Sequence, residues 1–395
     1  MAQHGHLRLG RTAGLVGAAV GLAAAGTAVG VAVTRTATAR VRAGQLAGQR
    51  GEDGRPVEDV PVNQLRREDP LGSGRRAADR TVVVRADDGV ALTVEEVGPT
   101  DAPLTVVFVH GYALSMASWT FQRRDLGEQL ATANGHRPTA RLVFYDQRGH
   151  GASGRGAAER STIDQLAADL ESVLTARVPR GPVVLVGHSM GGMTVLALAQ
   201  RRPELFGTRV AGVALVSTSS GNLGDLDFGL PTLLTRVRAT VLPVAVWTMR
   251  RRPGLAEVTR RLAKDVVSAV TWSMSFASTG VDPALGRYVD AMIAGTPVDV
   301  VAEFYPAIAG LDVSGAIEPL CRVPTVVLTG DADKLIPKAH SERIRTRLEE
   351  SGEGTVEYVA VPDAGHLVPL EHPGQVTDVL AGLIRRVAAG QRPAG

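Results

Sequence analysis

Cysteine is nearly absent from this sequence: Cys321 is the single cysteine among 395 residues. One thiol cannot form an intramolecular disulfide and cannot supply a cluster of thiolate ligands to a metal ion. Because it lies in an apolar stretch beside a predicted strand, Cys321 is interpreted as a small core residue. We therefore expect no disulfide within the chain and no thiolate-bound metal cluster. No other metal and no cofactor are expected either.

Aromatic residues are also scarce, and the net charge is small. Phe, Trp and Tyr together make up 4% of the chain, and the formal net charge is +3. A nucleic-acid-binding surface needs a concentrated basic patch, so no nucleic-acid partner is expected. With 44% hydrophobic and 21% charged residues, the composition is that of a globular protein long enough to bury a large core.

Charged residues are missing from positions 12–33, a run of 22 residues. As a helix this run would span about 33 Å, which matches the apolar thickness of a bilayer. It predicts that residues 1–42 form a single-pass anchor that places the protein at the cell membrane, on a side that the flanking arginines do not decide. The alternatives are a cleaved secretion signal, with Ala-Thr-Ala at 37–39 as its cleavage site, and a soluble tail.

The rest of the chain divides into four predicted segments. Residues 43–80 are polar, carry charges of both signs and are interpreted as a flexible linker. Strand-like and helix-like patterns alternate over 81–218 and again over 319–390, which predicts a mostly parallel sheet covered on both faces. The intervening residues 219–318 have helical spacing, with one helix predicted at 255–270, and are interpreted as a cap inserted between two strands.

Arginines are concentrated within this predicted cap, at positions 250–252, 260 and 261. We interpret them as a solvated surface. Contact with acidic lipid headgroups is the alternative.

A tight glycine-rich turn at residues 187–191, Gly-His-Ser-Met-Gly, separates an apolar strand-like run from a helical run. Strand, turn and helix are the setting in which the pattern G-x-S-x-G forms a nucleophile elbow. Ser189 is then exposed beside a helix N-terminus, which favours an anion forming there. The alternative is a turn whose serine only caps the helix.

Two later strand ends carry titratable residues that can serve Ser189. Asp333 follows one predicted strand and His366 follows the next, and ligands bind beyond the carboxyl ends of strands in open α/β sheets. The chain order Ser189, Asp333, His366 is that of an α/β-hydrolase triad. Asp331, two residues before Asp333, is the alternative carboxylate.

Five motifs therefore occur in order along the chain. They are His110-Gly111 with Ser115 and Trp119, Asp146-x-Arg148-Gly149-His150-Gly151-x-Ser153, Gly187-x-Ser189-x-Gly191, Gly330-x-x-Asp333-x-x-x-Pro337 and Gly365-His366. On these motifs, residues 81–387 resemble the α/β-hydrolase superfamily, in its branch of cap-bearing esterases, carbon–carbon bond hydrolases and cofactor-free haloperoxidases. The resemblance implies an α/β-hydrolase fold: a mostly parallel eight-stranded sheet with helices on both faces and a helical cap insertion.

The resemblance and the chemistry assign the same catalytic roles. Ser189 is expected to attack a carbonyl carbon, with His366 as its general base and Asp333 holding the imidazole. The backbone N–H groups of Tyr112 and Met190 are expected to form the oxyanion hole. By the same resemblance, four further motif residues hold loops together rather than react: His110, Asp146, Arg148 and His150.

The identity of the nucleophile narrows the reaction. A serine at position 189 argues against haloalkane dehalogenases and epoxide hydrolases, which need an aspartate there. The sequence therefore predicts a serine hydrolase that cleaves carboxylic esters, including lipid-like or medium-chain acyl esters, through an acyl-enzyme. The alternatives are a cofactor-free haloperoxidase or perhydrolase, a carbon–carbon bond hydrolase, and a silent fold that only binds a ligand.

Overall fold

The computed structural model describes residues 76–130, 140–223, 247, 249–262, 264–278, 280–352 and 354–390. The predicted membrane segment at 12–33 and most of the predicted linker lie outside these residues, so both stay predictions. No helix in the described part of the chain is long and apolar enough to cross a membrane.

Among the described residues, eight strands form one central sheet. The strands are β1 (Arg80–Arg85), β2 (Ala91–Val97), β3 (Leu104–Val109), β4 (Ala140–Tyr145), β5 (Val183–His188), β6 (Val210–Val216), β7 (Thr325–Gly330) and β8 (Val356–Val361). Their spatial order is β1-β2-β4-β3-β5-β6-β7-β8. Pairing is antiparallel between β1 and β2 and between β2 and β4, and parallel elsewhere. The predicted mostly parallel eight-stranded sheet is confirmed.

Helices cover both faces of this sheet because its central strands are apolar on both sides. Every residue of β3, β4, β5 and β7 is buried. Along β3, Val107 and Val109 belong to one hydrophobic core, whereas Val106 and Phe108 belong to the other. The alternation of side chains along a strand thus produces two cores separated by the sheet.

Each core is completed by its own set of helices. The helices of the described residues are α1 (Thr120–Gln129), α2 (Ile163–Arg177), α3 (Met190–Arg201), α4 (Pro253–Leu262), α5 (Lys264–Ser275), α6 (Pro283–Gly295), α7 (Val298–Ala309), α8 (Ile317–Leu320), α9 (Ala339–Glu350), α10 (Val368–Glu371) and α11 (Pro373–Gly390). Residues of α2, α3 and α9 pack in the first core, and residues of α1 and α11 pack in the second.

The described residues between β6 and β7 are largely helical. The helix predicted at 255–270 falls on α4 and α5, which lie on either side of residue 263, a position outside the described residues, and helical structure continues to Ser275. The chain divides into two compact units, one including residues 227–269 and the other including 59–226 and 270–395. All the residues discussed below as site residues belong to the second unit.

Candidate active site

Ser189 occupies a strained turn between β5 and α3. Its backbone has φ 54° and ψ −120°, a conformation that residues with a side chain rarely adopt. Two hydrogen bonds hold it there: the Ser189 N–H donates to the Val216 carbonyl at 2.9 Å, and the Thr218 hydroxyl donates to the Ser189 carbonyl at 2.7 Å. The surrounding structure therefore maintains a backbone conformation that is unfavourable by itself.

The glycines around Ser189 leave no space for side chains. A Cβ atom on Gly187 would lie 2.5 Å from the Gly191 carbonyl oxygen, and one on Gly191 would lie 2.1 Å from the Val109 carbonyl oxygen. A Cβ on Gly192 would lie 2.6 Å from the Cβ of Thr218. The spacing of glycines in the motif is therefore a packing requirement, since β3, the turn and α3 approach one another at backbone distance.

The structure brings Ser189, His366 and Asp333 into one hydrogen-bonded chain. Nε2 of His366 lies 2.9 Å from Oγ of Ser189, and Nδ1 of His366 lies 2.8 Å from Oδ2 of Asp333. All three residues are buried, at 6–7% exposure, so the expectation that Ser189 is exposed is wrong. Because a carboxylate only accepts hydrogen bonds, the proton is assigned to Nδ1, which leaves Nε2 free to accept from the serine hydroxyl.

The Asp333 carboxylate is itself held in place. Its Oδ1 accepts hydrogen bonds from the backbone N–H groups of Leu335 and Ile336, each at 2.9 Å. One oxygen is thus anchored to the loop after β7, and the other faces His366. Asp333, rather than the exposed Asp331, is the carboxylate that contacts the imidazole.

The residues predicted to form the oxyanion hole lie on two sides of Ser189. Met190 is the first residue of α3, so its N–H has no acceptor within the helix. A Cβ on Gly111 would lie 3.2 Å from the Cβ of Ser189, so the peptide from Gly111 to Tyr112 lies beside the serine. The Tyr112 side chain is directed elsewhere: its hydroxyl donates to the Val301 carbonyl, and burial raises its pKa.

His110 lies between the loops that follow β3 and β4. Its Nδ1–H donates to the Gly111 carbonyl at 2.8 Å, and its Nε2 accepts from the Gln147 N–H at 2.9 Å. Burial lowers the pKa of His110 to about 4, so the ring is neutral near pH 7. Both of its nitrogens are engaged with backbone, as expected for a residue that holds loops together.

Asp146 and Arg148 also connect separate parts of the chain. Asp146 accepts hydrogen bonds from the backbone N–H groups of Met116 at 2.8 Å and Ala152 at 2.7 Å. Arg148 forms a two-pronged ion pair with Asp169, with both distances 2.6 Å. It forms a second such pair with Asp88, at 2.9 and 3.1 Å. These contacts join the loop after β4 to the β1–β2 hairpin and to α2.

His150 also belongs to this buried group. Its Nδ1–H donates to the Arg148 carbonyl at 2.9 Å, and its ring packs beside His110 and Phe304. Burial lowers its pKa to about 3, with His110 adding to the effect. Its contacts with backbone and neighbouring rings agree with the predicted structural role.

Two residues that contact the site were not assigned a role from the sequence, namely His188 and Thr218. His188 occupies the variable position of the G-x-S-x-G motif, which carries no signal of its own. Its Nε2–H donates to the carbonyl of His366 at 2.9 Å. Thr218 lies in the serine- and threonine-rich run after β6, and that local enrichment is the only sequence signal for it.

The donor set suits proton transfer and not metal binding. Among the described residues, no group of three or more His, Cys, Asp or Glu side chains is arranged to hold a metal ion. A serine hydroxyl bonded to an imidazole, which in turn is bonded to a carboxylate, can lose its proton while it attacks an electrophile. A hydrogen-bonded chain of this kind at the carboxyl ends of a mostly parallel sheet is typical of α/β-hydrolases.

The sequence comparison gives the same class. Residues 105–373, more than half of the chain, match the family model described as alpha/beta hydrolase fold. The chain therefore belongs to the alpha/beta hydrolase family and is an enzyme of that family.

Individual relatives are distant. The dihydrolipoyllysine-residue acetyltransferase component of an acetoin cleaving system from Pseudomonas putida is 25% identical over 283 residues, 71% of this chain and 63% of that protein. This chain thus spans less than two thirds of that relative. A non-heme chloroperoxidase from Burkholderia pyrrocinia is 27% identical over 273 residues, 68% of this chain and 88% of that protein.

A solved structure supports the fold in the same way. A thermophilic esterase from Thermogutta terrifontis with malate bound has a TM-score of 0.58 and 24% identity to this chain. The match covers 78% of this chain and 99% of the esterase. At this identity the likeness shows a shared fold.

Proposed function

We propose that this protein is a serine hydrolase that cleaves carboxylic esters through an acyl-enzyme intermediate, with Ser189, His366 and Asp333 as catalytic residues. The observation that carries the proposal is the pair of hydrogen bonds on His366, 2.9 Å to Ser189 Oγ and 2.8 Å to Asp333 Oδ2. The buried imidazole is oriented on one side and faces the nucleophile on the other, which is what general-base activation of a hydroxyl requires.

The first half of the reaction forms the acyl-enzyme. His366 Nε2 takes the proton of Ser189 Oγ as the oxygen attacks the ester carbonyl carbon. The carbonyl oxygen becomes an oxyanion, which accepts hydrogen bonds from the backbone N–H groups of Tyr112 and Met190. His366 then donates its Nε2 proton to the alcohol oxygen, the carbon–oxygen bond breaks, and the alcohol leaves an acyl group on Ser189.

The second half regenerates the free enzyme with water. His366 removes a proton from a water molecule as its oxygen attacks the acyl carbon, and the same N–H groups bind the second oxyanion. Collapse of this intermediate breaks the bond to Ser189 Oγ, which regains its proton from His366. The product is a carboxylic acid. In both halves the Asp333 carboxylate stabilises the imidazolium that forms transiently.

The proposed substrates are medium-chain or lipid-like acyl esters, and the proposed location is a membrane surface. The uncharged run at 12–33 supports a single-pass anchor that would hold the enzyme close to lipid substrates. The predicted cap, rich in Ala, Val and Leu, supports an apolar acyl pocket. If the segment is cleaved as a signal, the same enzyme is secreted.

A second candidate is haloperoxidase or perhydrolase activity on the same residues, because a non-heme chloroperoxidase is 27% identical to this chain. In that reaction hydrogen peroxide replaces water in the second half, so the acyl group leaves as a peracid. Competition between the two acceptors is measured directly by supplying one acyl donor with water alone or with added peroxide.

Active-site labelling tests the main proposal. A fluorophosphonate probe should label the wild-type protein, whereas Ser189→Ala should remain unlabelled. Ser172→Ala is a matched control, since Ser172 lies on α2 and donates to the Ala168 carbonyl. Wild-type protein that stays unlabelled in its folded state would overturn the proposal.

Turnover of p-nitrophenyl esters tests the general base and the substrate class. His366→Ala should abolish turnover while the folded structure persists, and retained turnover would show that another group acts as base. A series of acyl chains of increasing length then gives the chain preference from kcat/KM. A preference for the shortest chain would contradict a lipid-like substrate.

A further inference from the structure

Residues 273–277, at the end of α5, contact the loops that carry both His366 and Asp333. These five residues, here called the α5 end, lie between β6 and β7 and far from both loops in sequence. Their contacts are made by backbone carbonyl and N–H groups, so they depend on chain position rather than on side-chain identity. The α5 end therefore contacts both loops.

The loop after β8, here called the His366 loop, is joined to the α5 end by hydrogen bonds to Glu371. One carboxylate oxygen of Glu371 accepts from the N–H of Gly365 at 2.9 Å, and the other accepts from the N–H of Ala277 at 3.0 Å. Gly365 directly precedes His366. A single side chain thus links the peptide before the histidine to the α5 end.

Two further features bring the same surfaces together. The Leu367 N–H, directly after His366, donates to the Ser275 carbonyl at 3.1 Å. A Cβ atom on Gly365 would lie 2.6 Å from the Ala277 nitrogen and 2.7 Å from the Ser275 oxygen. The loop and the α5 end are consequently in backbone contact, which explains why glycine precedes the histidine.

The loop after β7, here called the Asp333 loop, is joined to the α5 end by hydrogen bonds from Lys334. Its ammonium group donates to the Ser273 carbonyl at 2.8 Å and lies 3.5 Å from the Phe276 carbonyl. These carbonyls end a helix, where unpaired C=O groups and the helix dipole favour a cation. Lys334 directly follows Asp333, so these hydrogen bonds hold the residue next to Asp333 against the α5 end.

We propose that Glu371 and Lys334 are positioning residues, which hold His366 against Asp333 by fastening their loops to the same α5 end. This rests on the proposed ester hydrolysis by Ser189, His366 and Asp333. Glu371 is suited to the role because two carboxylate oxygens can accept from two N–H groups at once. Burial raises the pKa of this carboxyl, whereas the hydrogen bonds from the Ala277 and Gly365 N–H groups act in the opposite direction.

The amide variant Glu371→Gln tests the proposal with almost no change in shape. It places an NH₂ group against one of the two N–H donors, so only one of the two contacts can survive. We expect kcat for a small soluble p-nitrophenyl ester to fall by about ten- to a hundredfold, with KM changed by less than about threefold. Glu349→Gln on α9, where the carboxylate lies 3.7 Å from Arg345 near the surface, should behave as wild type.

Lys334→Met provides a second test from the other loop. Its long apolar side chain keeps the packing of the lysine stem and removes the ammonium donor. We expect kcat to fall in the same direction, by about three- to tenfold, with little change in the thermal midpoint because the ammonium group is partly exposed. If Glu371→Gln does not fold, the kcat of Lys334→Met alone tests the proposal.

The pH dependence separates positioning from general stabilisation. If His366 moves away from Asp333, its imidazolium loses a carboxylate partner, so the pH profile of kcat/KM should change in both variants. The far-downfield proton resonance of the His366–Asp333 hydrogen bond should weaken in parallel. Unchanged kcat and pH profile in folded variants would overturn the inference. Inactive wild-type protein would instead refute the proposed function.

Discussion

Nε2 of His188 lies 2.9 Å from the carbonyl oxygen of His366. The residue before the nucleophile is thus hydrogen bonded to the backbone of the proposed general base, 178 residues away. Both residues are buried. The contact joins the turn after β5 to the loop after β8 directly, independently of the triad side chains.

Removing this donor should affect both stability and turnover. In His188→Leu the carbonyl of His366 loses its partner in a buried setting, which should lower the free energy of unfolding by about 1–3 kcal/mol. We expect kcat to fall by about tenfold, because small displacements of a catalytic group are costly. Urea unfolding and ester turnover measure the two effects. His188→Gln, which keeps an N–H donor, should recover part of each, and equal losses in both variants would contradict this account.

Acid should destabilise the protein through three buried histidines. Burial lowers the pKa of His110 to about 4 and those of His150 and His188 to about 3. In the unfolded chain these groups titrate near pH 6.5, so the unfolded state binds more protons and stability is lost as the pH falls from about 6.5 toward 4.

Each of these histidines should contribute up to about 1.4 kcal/mol per pH unit within that window, the full value applying where the unfolded histidine is protonated and the folded one is neutral. Urea unfolding at about pH 8, 6 and 5 measures the slope. His150→Phe, which keeps a ring of similar size, should reduce the slope by roughly one histidine's share. A stability that does not change between about pH 6 and pH 5 would show that the rings are protonated in the folded protein.

Glycines at different positions should respond oppositely to alanine. Gly191→Ala puts a Cβ 2.1 Å from the Val109 carbonyl oxygen, so we expect a loss of about 2–4 kcal/mol and disruption of the Ser189 turn. Gly382 lies within α11, and a Cβ added to it would lie 3.7 Å from its nearest neighbour, a guanidinium nitrogen of Arg386. Gly382→Ala should therefore stabilise the helix by about 0.5–1 kcal/mol. Thermal unfolding compares the pair, and similar shifts would refute the packing argument.

Deletion of residues 1–42 should release the protein from membranes. The physical basis is the loss of the uncharged run at 12–33, the predicted spanning segment. Fractionation of cells that express the full chain or the truncated chain measures the change. Ester turnover by the truncated protein is the control for folding, and an unchanged membrane fraction would argue against the anchor.

Much of the fold was predictable because strand and helix signals are local. The continuous apolar runs at 104–109 and 210–216 coincide with β3 and β6, since runs of that length suit strands buried on both faces. The helical spacing at 255–270 likewise coincides with α4 and α5, although it does not show that helical structure continues to Ser275.

By itself, the sequence determined the order of the elements, the turn that holds Ser189, and the strand ends that carry Asp333 and His366. These follow from short-range patterns of apolar residues and glycines. Only the tertiary structure decided that His188 bonds to the His366 carbonyl and that Glu371 bridges Gly365 and Ala277. Such contacts involve backbone groups that are distant in the chain. Every residue has the same backbone groups, so the sequence does not show which partner the packing brings to one of them.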